Sequence, residues 1–275
     1  MTIFDRHGNH YGSWTYKKFD IGRRMDMEKD NRLEDVYQYI KNHAEIKNLA
    51  NTKKALPLCK QLLFSSSRNI FRTSKNETMS YEHCLKAAKL LVDLHISLSD
   101  QEEDYMLAGM LCYDMLDHIT WENEGLELVN EYGLEPKILE ILRKTTRPKM
   151  MDEDRKIKYY DELKKDKIAF LLVLADHSNL VENLSELTIF DVNEFVCEMR
   201  KYVLQMCVYG KQYYRECQMS ITIMMEKIRS LIDVADIIAH RYQKRELAYE
   251  NEVLSLMEEN ARLRGMIHQL ENAQA

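Results

Sequence analysis

Proline and glycine are scarce, with three and eight in 275 residues. So few breakers, beside frequent Leu, Met, Lys and Glu, argue for a mostly helical chain. Positive charge is not in excess: the net charge is −6, so there is no basic footprint and nucleic acid is not the default partner. The six cysteines (Cys59, Cys84, Cys112, Cys197, Cys207, Cys217) show no C-x-x-C spacing. They read as reduced, mostly buried thiols of a cytoplasmic protein. Long apolar runs are absent too. The longest, Ile168 to Ala175, is far too short to span a bilayer. The N-terminus is polar and aromatic, unlike a signal peptide.

What is present is more telling. The length suits one sizeable core plus an appendage. Two segments are apolar on almost every side, and each carries an aspartate: Tyr105 to Leu116 holds Asp114, and Ile168 to Ala175 leads into Asp176. A helix that is hydrophobic all round belongs in the middle of a bundle. A carboxylate there costs several kcal/mol unless it is paired.

Along the chain, residues 1–31 have no periodic apolar face and read as a loosely ordered arm; His7 and His10 in it read as solvated side chains. Residues 32–210 read as a helical domain. Leu33, Val36, Ile40 and Ala44 share one helix face. Pro57 suits the first turn of the next helix, which the Ser65–Ser67 cluster ends. Another runs from about Ser80 to Leu94 and contains His83. Ser99 or Asp100 caps the Asp114 helix. Thr120 caps a short helix that Gly133 stops, and Pro136 starts one reaching about Thr145. Arg147 to Lys167 reads as a charged stretch before the Asp176 helix. A last domain helix runs from near Thr188 to Tyr209, with Gly210 ending it. No segment alternates like a strand. The expected fold is all-α.

Residues 211–275 read as a long helix with a heptad register. Position d holds Ile221, Ile228, Ala235, Tyr242, Tyr249, Leu256, Leu263 and Leu270. Position a holds Met225, Ile232, Ala239, Glu246, Val253, Asn260 and Ile267. Leucine at d, β-branched residues at a and one asparagine at a favour a parallel two-stranded coil. In such a homodimer Glu259 faces Arg264 of the other chain, and Arg245 faces Glu250. Before about Tyr242 the apolar stripe, widened by Met224, Leu231, Val234, Ile237 and Ile238, suits packing on the chain's own domain. The apolar segment before the zipper excludes a basic-region leucine zipper.

His83, Asp114 and Asp176, on three different helices, form a candidate metal site of the mixed imidazole and carboxylate kind used in hydrolysis. Asp117 and His118 lie three and four residues after Asp114, on a shared helical face. His177 points about 100° round the helix from Asp176. The rival reading is a pair of buried aspartates satisfied by Ser, Tyr or backbone donors.

These residues, in order, resemble HD-domain hydrolases of the RelA/SpoT type, across roughly Ala55 to Met206. A basic loop and a helix-opening histidine are echoed by Arg72 and by Tyr81-Glu82-His83-Cys84-Leu85-Lys86-Ala87-Ala88. The family's Ala-Leu-Leu-His-Asp-x-x-Glu-Asp-Thr run is similar to Gly109 to Ile119, around Tyr113-Asp114-Met115-Leu116-Asp117-His118. Tyr132-Gly133 and Thr145-Thr146 resemble its Phe-Gly turn and Val-Thr helix end. Its Leu-Ala-Asp-Arg-Leu-x-Asn-Leu resembles Leu174-Ala175-Asp176-His177-Ser178-Asn179-Leu180.

The resemblance implies a divalent metal, usually manganese, on His83, Asp114 and Asp176, and release of pyrophosphate from a guanosine polyphosphate such as (p)ppGpp. Asp117 and His118 stand where the family has the Glu-Asp pair that orients water. Arg72, Lys149, Arg155 and Asn179 are the implied substrate-binding residues. Tyr113 occupies the place of a metal-ligand histidine, and Asn179 lies three residues after its aspartate where the family has four. His118, one turn from Asp114, is a candidate to replace the missing ligand. These departures define the alternative: a degenerate HD domain serving as a nucleotide-binding or regulatory dimerisation module. A structural dimer whose helices only dock a partner is the third possibility.

Overall fold

A computed structural model describes residues 32–65, 79–113, 115–118, 127, 129–146, 152–179 and 189–274. Among them no residue is in a strand, and the architecture is all-α. The arm assigned to residues 1–31, and Thr120, lie outside the described residues. Helix α1 covers residues 32–46. It is followed by α2 (Ala50–Ser65), α3 (Met79–Asp93), α4 (Asp100–Leu111), the short α5 (Met115–His118), α6 (Pro136–Thr145), α7 (Glu153–Leu163) and α8 (Lys167–Asn179). Helix α9 (Ile189–Glu198) continues through a π-helical stretch (Met199–Val203) into α10 (Leu204–Tyr213), and α11 (Gln218–Gln274) follows.

Helix α8 is the centre of the bundle. Every residue from Ile168 to Asp176 is buried, because α3, α4, α6 and α11 all pack against it. This is what an unbroken apolar surface requires. Asp166 caps its N-terminus, accepting hydrogen bonds from the Ile168 and Ala169 amides at 3.1 Å. Lys167 joins this end to α4 through Glu102 at 2.6 Å. Glu102 in turn completes a capping box with Ser99, which settles the N-cap of α4 on Ser99. Two glycines set how closely neighbours approach α8. A Cβ on Gly109 of α4 would come 2.9 Å from Leu172 Cδ1, and one on Gly210 of α10 would come 2.3 Å from Phe170 Cζ.

Gly210 therefore does not end a helix as its type suggests. It lies inside α10, and the helix runs on to Tyr213. Pro57 likewise is not in a first turn: it sits well inside α2, whose start is fixed from outside. Asp104 on α4 accepts from the Asn51 amide at 2.9 Å and from the Thr52 amide and Oγ1 at 2.8 Å each. A buried carboxylate supplied by another helix thus does the work of an N-cap residue, and no local pattern announces it. The Asp114 helix is also shorter than expected. It ends at Leu111, Cys112 and Tyr113 form a turn, and α5 begins at Met115. Asp117 and His118 therefore lie on α5 rather than on a continuation of α4.

Within the charged stretch lies a helix that periodicity did not reveal. Asp152 caps α7, and only Tyr160 and Leu163 of it are buried. Tyr160 stacks on Tyr202 with ring centroids 5.0 Å apart and donates to Glu198. Gly133 adopts φ +63° and closes the segment before α6, as expected. Five cysteines are buried, Cys197 is exposed, and all are free.

Helix α11 has two halves. Ile221, Met224, Met225, Ile228, Leu231, Ile232 and Ala235 are buried against the bundle. Val234 and Ile237, expected to widen that stripe, are exposed. Beyond Ala235 no residue with a described side chain is buried. No helix of the described residues is long and apolar enough to cross a membrane.

Candidate functional site

Helices α3 and α8 pack directly together, and this contact brings His83 onto Asp176. His83 Nε2 lies 2.7 Å from Asp176 Oδ1. Both residues are buried, at 3% and 8% exposure. The contact joins residues 93 positions apart in the sequence.

The second oxygen of Asp176 is also used. Oδ2 lies 2.8 Å from His177 Nδ1. A carboxylate only accepts, so His177 donates from Nδ1. A helical wheel points His177 about 100° away from Asp176, yet adjacency in sequence lets its ring fold back onto the neighbouring carboxylate. His177 is the site residue that sequence reasoning missed, and the only signal was its place next to Asp176.

Burial alone would push the Asp176 carboxyl up. The hydrogen bonds from His177 and His83 outweigh burial and hold it well below the usual carboxylate range. The buried carboxylate is ionised, and two imidazoles compensate it.

Asn179 is turned inward. Its Nδ2 lies 3.2 Å from His83 Nδ1 and 3.2 Å from the His83 carbonyl oxygen. The amide donates to both, so Nδ1 accepts and the imidazole proton is assigned to Nε2, facing Asp176. Asn179 thus orients His83, and this geometry does not offer its amide to a substrate.

The remaining expected residues are dispersed. Asp114, Arg72 and Lys149 lie outside the described residues. Asp117 and His118 are on α5 (Met115–His118), directly after the turn that contains the half-buried Tyr113. Burial pushes the Cys112 thiol far up in the same turn, so it offers no thiolate there. Arg155 sits in the first turn of α7, with its side chain 69% exposed and Nε 3.6 Å from Asp152 Oδ2.

The donor chemistry fits a divalent cation in part. One imidazole nitrogen and one carboxylate oxygen face each other from two helices, with His177 bonded to the carboxylate and Asn179 to the His83 ring. Ligation through Nε2 moves the imidazole proton to Nδ1, and Asn179 must then present Oδ1 in place of its NH2. Among the described residues no group of three His, Cys, Asp or Glu side chains is placed to hold a metal. No family model and no curated protein matches the chain.

Proposed function

We propose that this protein is a metal-dependent phosphohydrolase of the HD type, acting on a guanosine polyphosphate such as (p)ppGpp to release pyrophosphate. The observation that carries the reading is the buried contact between His83 and Asp176. Two residues far apart in sequence, singled out by their resemblance to metal ligands, meet at the centre of the bundle at 2.7 Å.

In this reading His83, Asp176 and Asp114 hold a divalent metal, with manganese the first candidate. When bound, the metal supplies Lewis-acid activation of water and of the phosphoryl group. The chain's own contribution is positional. Asp176 stays ionised between two rings, ready to ligate. Asn179 fixes the plane of the His83 ring. Asp117 orients water, His118 supports the metal in the place left by Tyr113, and Arg72 and Lys149 neutralise substrate phosphates. Arg155 belongs to this set only if its exposed side chain leaves Asp152. The overall reaction is ppGpp plus water giving GDP and pyrophosphate.

The same contacts favour a second reading. Both ring nitrogens of His83, both carboxylate oxygens of Asp176 and the amide nitrogen of Asn179 have hydrogen-bond partners without a metal. A degenerate domain that binds a nucleotide or regulates through its coil would keep such a network. The exposed half of α11 supports a further proposal for both readings: the chain pairs with a second copy through this helix.

Product analysis separates the two readings. The full chain is incubated with ppGpp and manganese, beside GTP and GDP as competing substrates and an Asp114→Asn, Asp176→Asn double variant as the blank. GDP and pyrophosphate in equal amounts above the blank support the hydrolase. Saturable ppGpp binding without turnover, by folded and metal-loaded protein, favours the binding module.

A further inference from the structure

The apolar stripe of α11 keeps one heptad register, interrupted at Glu246 alone, but two different surfaces use it. Ile221, Ile228 and Ala235 at d are fully buried against the chain's own bundle. In the same register Tyr242, Tyr249, Leu256 and Leu263 are 51%, 69%, 62% and 46% exposed. Val253 at a is 36% exposed. An isolated helix in water does not sustain a stripe of this kind for its own stability.

We infer that a second copy of this chain covers the stripe in parallel and in register, starting at Tyr242 and excluded from everything before Ala239. This rests on the reading of the exposed half of α11 as a dimer seam.

Charge fixes the direction. In a parallel pair each g residue meets the e residue five positions on in the other chain. Arg245 then meets Glu250 and Glu259 meets Arg264, both opposite in sign, while Glu252 meets Met257 and Met266 meets Glu271. Among these g–e pairs no like charges face each other; the one like pair in the seam is Glu246 against its own copy at an a layer near the N-terminal end. An antiparallel pair centred on the same segment brings g against g and sets Glu252 against Glu259 of the other chain. Asn260 adds register: in the parallel arrangement the two copies share one a layer and can satisfy each other's amides.

The bundle fixes the starting point. The partner helix needs the same a and d face that α8, α9 and α10 occupy up to Ala235. Both helices must therefore part at the N-terminal end of the seam. The paired segment from Tyr242 to Leu270 is about 42 Å long at 1.5 Å per residue.

The test uses the full chain with Cys197→Ser, which removes the exposed thiol. Three single variants are made in it: Val253→Cys, Leu263→Cys and Ala235→Cys. Sedimentation equilibrium reads the mass of each, and mild oxidation followed by non-reducing electrophoresis reads self-crosslinking. A dimer in which Val253→Cys and Leu263→Cys both crosslink to themselves, and Ala235→Cys does not, is the expected result. An antiparallel pair can bring only one of the first two positions onto its own copy, since they lie about 15 Å apart along the helix. A dimer that crosslinks at one or neither of them overturns the parallel register but keeps the dimer. Crosslinking at Ala235→Cys overturns the exclusion of the bundle segment. A monomer at every concentration overturns both the inference and the dimer reading. Glu259→Lys weakens pairing about tenfold or more by setting like charges at a seam position, and mixing it with Arg264→Glu restores pairing.

Discussion

Replacing Gly210 by alanine tests whether the bundle is packed as described. In most exposed helix interiors this substitution helps, by about 1 kcal/mol, because glycine is the costlier helix residue. Here the added methyl would stand 2.3 Å from Phe170 Cζ and 2.7 Å from Cε1. Phe170 has no room to retreat: it is fully buried on α8, and Tyr214 lies against it with ring centroids 5.6 Å apart. A forced contact in a close-packed core costs about 1–3 kcal/mol or more, and a gap this short belongs at the upper end. The net loss is about 2 kcal/mol, or roughly 4–8 °C in melting temperature at about 2–4 °C per kcal/mol. Gly265 provides the control. A Cβ there meets nothing within 4 Å, so Gly265→Ala stabilises by up to about 1 kcal/mol. Thermal and urea unfolding followed by circular dichroism measure both. Equal effects of the two substitutions, or a Gly210→Ala variant as stable as the parent, would refute the close approach of α10 to α8. Relief of the defect by Phe170→Leu would locate the strain at this contact.

Other outcomes follow from the same contacts. Asp104→Ala leaves the Asn51 and Thr52 amides unpartnered in a buried position and costs about 2–4 kcal/mol in urea unfolding; a neutral result would mean that α2 is capped by something else. Asp166 carries a lowered carboxyl: burial opposes this, while Lys144 and the Ala169 amide outweigh it. Its stabilisation is complete above the unfolded value and is lost as pH falls through the lower folded value. Asp166→Asn therefore destabilises at pH 7, and its deficit shrinks on acidification; a deficit constant with pH would contradict this. Asn179→Asp supplies an acceptor for a protonated His83 Nδ1 and raises manganese affinity about tenfold in a binding titration, whereas Asn179→Ala lowers it. The reverse order would separate Asn179 from the metal.

The helical class was readable because so few residues break helices and because α8 is apolar on all sides. His83 and Asp176 were readable through their apolar surroundings and their order along the chain. What escaped reading was set by tertiary partners. Asp104 caps α2 from another helix, so Pro57 misplaced the helix start. Gly210 is small for Phe170's sake rather than to end a helix. The buried side of α7 is only Tyr160 and Leu163, too little to register as a period among charges. His177 reaches Asp176 by folding its ring back, which a helical wheel does not show. The break after Leu111 leaves no strong local signal, since the segment stays apolar through Leu116.

The most direct test of the central claim, that His83 and Asp176 form part of a metal centre, is a manganese titration read by electron paramagnetic resonance. The full chain is compared with His83→Ala and Asp176→Asn, each checked for fold by circular dichroism. The account predicts saturable, stoichiometric binding by the parent chain and its loss in both variants. Folded parent protein that leaves all manganese free, or variants that bind as the parent does, would contradict it.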